Sequence, residues 1–263
     1  PRRPAADIGA FCLCCVIGLL FVLPILAFLF TMLLEDYPLH MELTLRHIRD
    51  CLNARGVLGL KNSLLLSAGA ALGGTVIAAF AAYAAARHRG GLARSVHLLS
   101  TLTLSIPGLV LGLAYVLAFK RTALYETMGI LIFSSIIHFF TTPYLMLYQT
   151  FGKLNANLEG TGRVLGVPPF RLFANVFLPQ CAETLLDMFS YFFLNAMVTI
   201  SAVSFLATAQ TRPLSMLVTQ YSDQINPEGA AVLSFFILAI NLLVRGIVFL
   251  LKHLLCTPAR AAQ

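Results

Sequence analysis

Twenty-six consecutive residues, Gly9 to Leu34, carry no charged side chain, and five more apolar runs follow: Asn62 to Ala86, Val96 to Phe119, Thr127 to Thr150, Leu185 to Ala209 and Ala230 to Leu251. At a helical rise of about 1.5 Å per residue, roughly 20 apolar residues cross the hydrocarbon core of a bilayer. Every run reaches that length, so the pattern predicts an all-α integral membrane protein with six transmembrane helices and both chain ends on one side. Composition agrees: 59% of the 263 residues are hydrophobic and 11% charged, against about a quarter charged in a soluble domain. A water-soluble surface is excluded.

The formal charge of +7 would raise nucleic acid as a partner in a soluble protein. Here the lysines and arginines flank the apolar runs, where they meet headgroups of membrane lipid, and no basic stripe with interleaved aromatics stands clear of a span. No nucleic-acid role is expected. Positive charge near span ends sets orientation. With the N-terminus inside, the inner segments hold Arg2, Arg3, Arg87, Arg89, Arg94, Lys153, Arg163, Arg171, Lys252 and Arg260, and the outer ones Arg46, Arg49, Arg55, Lys61, Lys120, Arg121 and Arg212. Three arginines between Arg87 and Arg94 resist translocation most strongly, so both termini are expected in the cytoplasm.

Pro1 opens the chain without an initiator methionine, and residues 1–8 read as a basic cytoplasmic linker, which points to a piece of a longer polypeptide. The first run, 9–34, is too long for a signal-peptide core and lacks a small-residue cleavage site. Residues 62–251 read as the core domain, with a long loop at 151–184, and 252–263 as a cytoplasmic tail. Cys12, Cys14 and Cys15 lie within the first run without CxxC spacing, and Cys51, Cys181 and Cys256 are scattered. No metal site is predicted, because zinc needs clustered ligands. Nor is there a GxxxxGK[ST] phosphate loop, an HExxH pair or a Gly-x-Ser-x-Gly elbow, so no catalytic residues are assigned.

Small residues dominate the second run, among them Gly69, Gly73, Gly74, Ala78 and Ala82. They allow close backbone approach, which places this helix inside the bundle. Pro107, Gly108 and Pro143 are expected to kink the third and fourth spans.

The segment Asn157 to Pro179 carries the most specific pattern. Gly166 suits the left-handed end of one short helix, and Pro168 or Pro169 the start of the next. In that second helix Phe170, Phe173, Ala174 and Phe177 recur at i, i+3, i+4 and i+7, forming one apolar face, with Arg171 and Asn175 off it. The result is a helix, a bend and an amphipathic helix along the inner membrane surface.

This segment resembles the EAA loop of binding-protein-dependent (MetI-like) ABC importer permeases. That pattern runs from a Glu-Ala-Ala-like start to a Gly, then nine residues, an aliphatic residue, one residue and Leu-Pro. Gly166, Val176, Leu178 and Pro179 stand at the matching positions. Leu158 and Glu159 match the start, and Arg163 and Leu165 are also usual. Gly160, Thr161 and Gly162 depart from it, and two glycines cost a short helix about 1 kcal/mol each relative to alanine. Asn62-Ser63-Leu64 and Ser105-Ile106-Pro107-Gly108 are also common in such permeases. The stretch Asn195 to Leu206 resembles the second half of tandem permeases of the ferric-iron and 2-aminoethylphosphonate type.

The resemblance implies a cytoplasmic coupling helix between the fourth and fifth spans, with Leu158, Glu159, Arg163, Leu165, Gly166, Val176, Leu178 and Pro179 serving contact with separate ATP-binding subunits. Glu159 would meet a basic residue there; otherwise it is a solvated carboxylate. It further implies a second permease half, a periplasmic or lipoprotein solute receptor, location in a bacterial inner membrane, and no cofactor in this chain, ATP being held by the partner. Phosphonate, phosphate ester or ferric iron is the expected solute. An ion-coupled secondary transporter or channel is the alternative.

Within the fifth run Asn195 and Thr199 are four apart, and Ser201, Ser204 and Thr208 follow at i, i+3 and i+7; on a helix each set shares a face and is a candidate lining of a translocation path. Hydroxyls in spans also bond their own or neighbouring helices. His138 stands in the fourth run with a packing role or a proton-transfer one. Arg245 lies well inside the sixth, where a charge is costly unless paired or snorkelling; Asp187 is its candidate partner.

Overall fold

A computed structural model describes residues 4–36, 40–52, 54–88 and 90–260. The basic opening Pro1 to Arg3, Arg89 and the last three residues of the tail lie outside the described residues.

The chain forms two units, Pro1–Val57 with Leu217–Leu238, and Leu58–Met216 with Ala239–Gln263. In the first, helix α1 (Pro4–Thr31) leads into a two-stranded antiparallel hairpin, β1 (Leu34–Asp36) and β2 (His40–Leu43), and a short helix α2 (Arg46–Cys51). The apolar run therefore stops being helix before Leu34, and the helix begins inside the expected linker. The most apolar window of α1 has none of its residues buried; near its end Ile25, Phe28 and Leu29 line a small cavity with Ser234, Phe235 and Leu238.

The second unit is built on α3 (Ala54–Arg87), which belongs to it from Leu58 onward. Ala70, Ala71, Ala78 and Ala82 on it are fully buried. Gly69 and Gly73 face Ile132 and Ile136, and Gly74 faces the ring of Phe192, all closer than an ordinary side-chain contact would permit. The small-residue run is thus interior, as its composition requires.

The third apolar run is broken sharply where a kink was expected. Helix α4 (Gly91–Leu102) ends in a 3-10 turn at Thr103–Ser105, and α5 (Gly108–Phe119) leaves at 112° to it. Pro107 has no N–H to continue the helix and forces Ile106 out of the helical region, to ψ 118°. Gly108 then packs against Ser201 and His138, with no room for a Cβ. The fourth run breaks similarly into α6 (Met128–His138) and α7 (Thr141–Lys153), bent by 53°. Its break at Phe139 lies four residues before Pro143, where the proline ring would meet a helical carbonyl.

After the loop helices described below, α11 (Ala182–Val198) ends well short of Ala209, and α12 (Leu214–Asp223) and α13 (Pro227–Arg260) follow. Residues 199–213 are turns. Side chains compete there for the backbone: Asn62 Nδ2 donates to the carbonyls of Gln210 (2.8 Å) and Arg212 (3.1 Å), the Leu214 N–H donates to Ser63 Oγ (2.7 Å), and Ser134 Oγ donates to the Ala202 carbonyl (3.2 Å). Asn62 and Ser63 are themselves buried, so they hold this segment rather than opening a span at a water interface. Among the described residues three helices are individually long and apolar enough to cross a membrane, or five if each bent pair is one span.

Candidate coupling loop and intramembrane cleft

The loop begins with α8 (Leu158–Val164). Gly166, at φ +67°, reverses the chain, while the Val167 N–H bonds the Gly162 carbonyl (2.8 Å) and the Gly166 N–H bonds that of Arg163 (3.1 Å). Those two bonds satisfy carbonyls that a helix end leaves open, and glycine takes the left-handed conformation without a Cβ clash. Pro168 and Pro169 then start α9 (Pro169–Leu172), continued by a π-helical stretch Phe173–Phe177 and a last turn α10 (Leu178–Gln180). Phe173 and Phe177 are buried, but Phe170 is 71% exposed, so the expected four-residue apolar stripe loses its first member.

Gly162 shows what the departure from the Glu-Ala-Ala start does locally. It is buried, and a Cβ there would stand 3.1 Å from Leu172 Cδ2; the glycine lets α8 and α9 close on each other. Gly160 meets nothing within 4 Å and carries only the helix-propensity cost.

Glu159 is neither solvated nor offered outward. Arg87, at the end of α3, grips both its oxygens, Nε and Nη2 each at 2.6 Å, with side-chain exposures of 7% and 20%. The same guanidinium donates to the carbonyls of Phe151 (3.2 Å), Leu154 (3.1 Å) and Asn155 (2.7 Å) where α7 ends. It also lies over the Phe177 ring at 5.2 Å, beside Tyr83, whose ring is 4.8 Å from Phe173 and 5.4 Å from Phe177. One side chain thus ties α3, α7 and both halves of the loop together. A fork of donors on a planar cation suits this.

The hydrogen bonds from Arg87 hold the Glu159 carboxyl below its ordinary value of 4.5, against the opposing effect of partial burial. A depressed folded pKa means the pair stabilises the folded loop fully above the ordinary carboxylate range, and that contribution is lost as pH falls through the lowered folded value. Protection of residues 151–184 against hydrogen exchange, taken relative to the intrinsic rate at each pH, is therefore expected to fall on the acid side in the natural protein and to show a flatter pH response in Glu159→Gln; equal pH profiles would sink the assignment.

Of the other loop residues singled out from sequence, Leu158, Val176 and Leu178 pack against the core. Arg163, Gly166 and Pro179 are exposed. Leu165 (72%) forms, with Val164 (88%) and Phe170, an exposed apolar tip. Arg87 escaped the sequence reading as a site residue; it lies 72 positions from Glu159, beyond any local periodicity.

The polar residues of the fifth run separate. Asn195 remains on α11, donating to the Tyr191 carbonyl (2.7 Å). Thr199 caps that helix with extended backbone, and its carbonyl accepts from Ser215 Oγ (2.7 Å). Ser201, Ser204 and Thr208 lie in turns, Ser204 bonding the Ser201 carbonyl (3.1 Å) and Thr208 meeting Thr211 (3.0 Å). Their helical spacing is therefore not realised as a helical face. His138 abuts Gly108, its Nδ1 buried without a partner among the described residues.

Asp187 does not pair with Arg245. It pairs with Lys252, Oδ1 to Nζ at 2.5 Å. A cleft of about 370 Å³ between α11 and α13 contains all three, with Ser190, Tyr191 and Asn195.

With that geometry in place, kinship follows. The chain belongs to the family described as binding-protein-dependent transport system inner membrane component, which matches residues 74–255. It is 28% identical over 194 residues to the Fe(3+)-transport system permease protein FbpB 2 of Haemophilus influenzae, covering 73% of this chain and 38% of that protein. It is also 28% identical over 124 residues to the spermidine/putrescine transport system permease protein PotC homolog of Mycoplasma genitalium, covering 46% of this chain and 44% of the relative. The chain thus spans less than half the length of either relative. Its fold is similar to a chain of the crystal structure of a bacterial alginate ABC transporter in complex with an alginate pentasaccharide-bound periplasmic protein, with TM-score 0.76, 14% identity and coverage of 95% of this chain and 94% of the other. It is a membrane transport component with a predominantly helical, MetI-like permease fold, and a secondary transporter or channel is not favoured.

Proposed function

We propose that this chain is the membrane-spanning permease part of an ATP-driven importer, in which residues 158–179 form the cytoplasmic coupling loop between the fourth and fifth of six spans. The bent pairs α4–α5 and α6–α7 supply two spans, and α11, a helix of 17 residues, a further one beside the three long helices. Both termini face the cytoplasm of a bacterial inner membrane. ATP is bound and hydrolysed on separate subunits, a second permease half completes the path, and an external receptor delivers the solute. Residues 62–251 form the core of this half, with α1 as the first span. Asn195 is the member of the expected path set that lines a cleft.

The observation that carries this reading is the Arg87 clamp beneath an exposed apolar tip. The clamp makes the loop rigid with the ends of α3 and α7, while Val164, Leu165 and Phe170 stay free to seat in a partner. A partner whose conformation changes with nucleotide would then bias the bundle through that seat. The ferric-transport name of one relative supports ferric iron as solute; phosphonate or phosphate ester remains the second choice.

The test is co-purification of the tagged chain with its ATP-binding subunit, joined to solute uptake in vesicles. Leu165→Asp and Phe170→Asp place a charge on surfaces already exposed, so thermal stability should hold while retention of the subunit and uptake fall, by about tenfold or more where a central apolar anchor is lost. Unchanged retention and uptake in both variants would overturn the coupling role.

A further inference from the structure

The cleft between α11 and α13 has a charge imbalance that the coupling reading does not use. Asp187, Ser190, Tyr191 and Asn195 lie at i, i+3, i+4 and i+8 on α11, and Arg245 and Lys252 at i and i+7 on α13; all six line one cleft. The Asp187–Lys252 contact joins the two helices. Arg245 lies seven residues before Lys252 on α13, about 10 Å away at the helical rise, displaced from the residue that takes Asp187. That displacement is why the pair expected from sequence does not form.

Asp187 and Lys252 cancel, leaving one uncompensated guanidinium charge. Arg245 makes no ion pair or hydrogen bond among the described residues, and around it on α13 Leu242, Ile247, Phe249 and Leu250 are exposed apolar surface. An arginine on such a surface requires a counter-charge or a route to water. Around the cleft Ser190 and Tyr191 bring hydroxyls, and Asn195 has used one amide proton on its own helix. The lining thus combines a forked cation with neutral donors, while its single carboxylate is already neutralised.

We propose that this cleft is an oxyanion site in which Arg245 takes a phosphate group, with Ser190, Tyr191 and Asn195 completing its hydrogen bonds. Four phosphate oxygens accept more donors than a carboxylate does, and the guanidinium fork matches two of them. A membrane-lipid phosphodiester and a phosphate-bearing solute share this chemistry. The site requires only that the chain lies in a bilayer; it does not depend on import or on an ATPase.

Two arms distinguish the sources, both on the full chain. In nanodiscs of phosphatidylcholine with a minor share of phosphatidylglycerol, native mass spectrometry of the released protein reads retained phosphatidylglycerol. In nanodiscs of phosphatidylcholine alone, phosphorus NMR titration reads saturable binding of inorganic phosphate. Arg245→Gln should lower whichever signal the natural chain gives by about tenfold, as expected for loss of a charge-assisted bidentate contact. Arg245→Lys should keep part of it, and is the variant to read if Arg245→Gln does not fold. Asp187→Asn frees Lys252 and should strengthen the signal, a sign that general destabilisation does not produce. Selective phosphatidylglycerol retention identifies the lipid phosphate as occupant, and saturable phosphate binding the free oxyanion. Absence of both in the natural chain, or equal signals in both Arg245 variants, overturns the site.

Discussion

Arg87→Ala should release the bent loop from the bundle and cause the largest single loss of stability among conservative truncations of polar groups in this chain. Five hydrogen bonds leave with the side chain, two to Glu159 and three to the carbonyls of Phe151, Leu154 and Asn155. Glu159, only 20% exposed, would remain as a mostly buried carboxylate without its cation. Removing one partner of a buried pair costs about 3–5 kcal/mol, and the residual exposure puts the expectation near the lower end. Glu159→Gln keeps an acceptor for the guanidinium and should cost clearly less. Arg87→Lys retains charge but not the fork, and should fall between them. Thermal unfolding in detergent and hydrogen exchange of residues 151–184 measure both the size and the order. If the loop in Arg87→Ala exchanged as slowly as in the natural chain, the clamp would have no mechanical role, and the transmission argued for the loop would lose its anchor.

Gly74→Leu should prevent the second unit from closing. The Cβ alone would stand 2.8–2.9 Å from three atoms of the Phe192 ring, and Phe192 is fully buried. Overpacking a tight core costs about 1–3 kcal/mol, occasionally more; with a four-carbon side chain against an immobile ring the upper end is expected. Gly18→Leu provides the contrast, because Gly18 on α1 meets nothing within 4 Å. The measurement is the yield of monodisperse protein in mild detergent and its unfolding temperature. Comparable losses for the two substitutions would show that helix propensity, not the α3–α11 approach, sets the cost.

Much of this architecture is legible without coordinates because it follows from local chemistry. A membrane helix must bury no more than its own backbone, so composition alone marks the runs. Gly166, Pro168 and Pro169 announce a bend because only certain backbone angles suit them. The runs failed as a guide where distant groups bid for the same backbone: the apolar run continues to Ala209, yet Asn62 and Ser134 take up carbonyls of residues 199–213 and Ser63 the N–H of Leu214. Likewise Pro107 reads as a kink in isolation and becomes a 112° turn because Gly108 is packed on Ser201 and His138.

Helical periods carry a face only while the helix lasts, which is why Ser201, Ser204 and Thr208 did not come to share one. Charges pair by level and approach. Asp187 met Lys252 and not Arg245, two turns away on the same helix, and Glu159 met Arg87 because α3 and α7 end together.

Residue types alone settled that this chain belongs in a membrane, which of its helices is interior and where its loop turns, since hydropathy, side-chain size and backbone freedom are properties each residue carries with it. Which cation meets which carboxylate, where a span gives way to turns, and that one arginine holds the loop were settled by packing, because hydrogen bonds and ion pairs depend on distances between segments as much as 178 residues apart that no local pattern encodes.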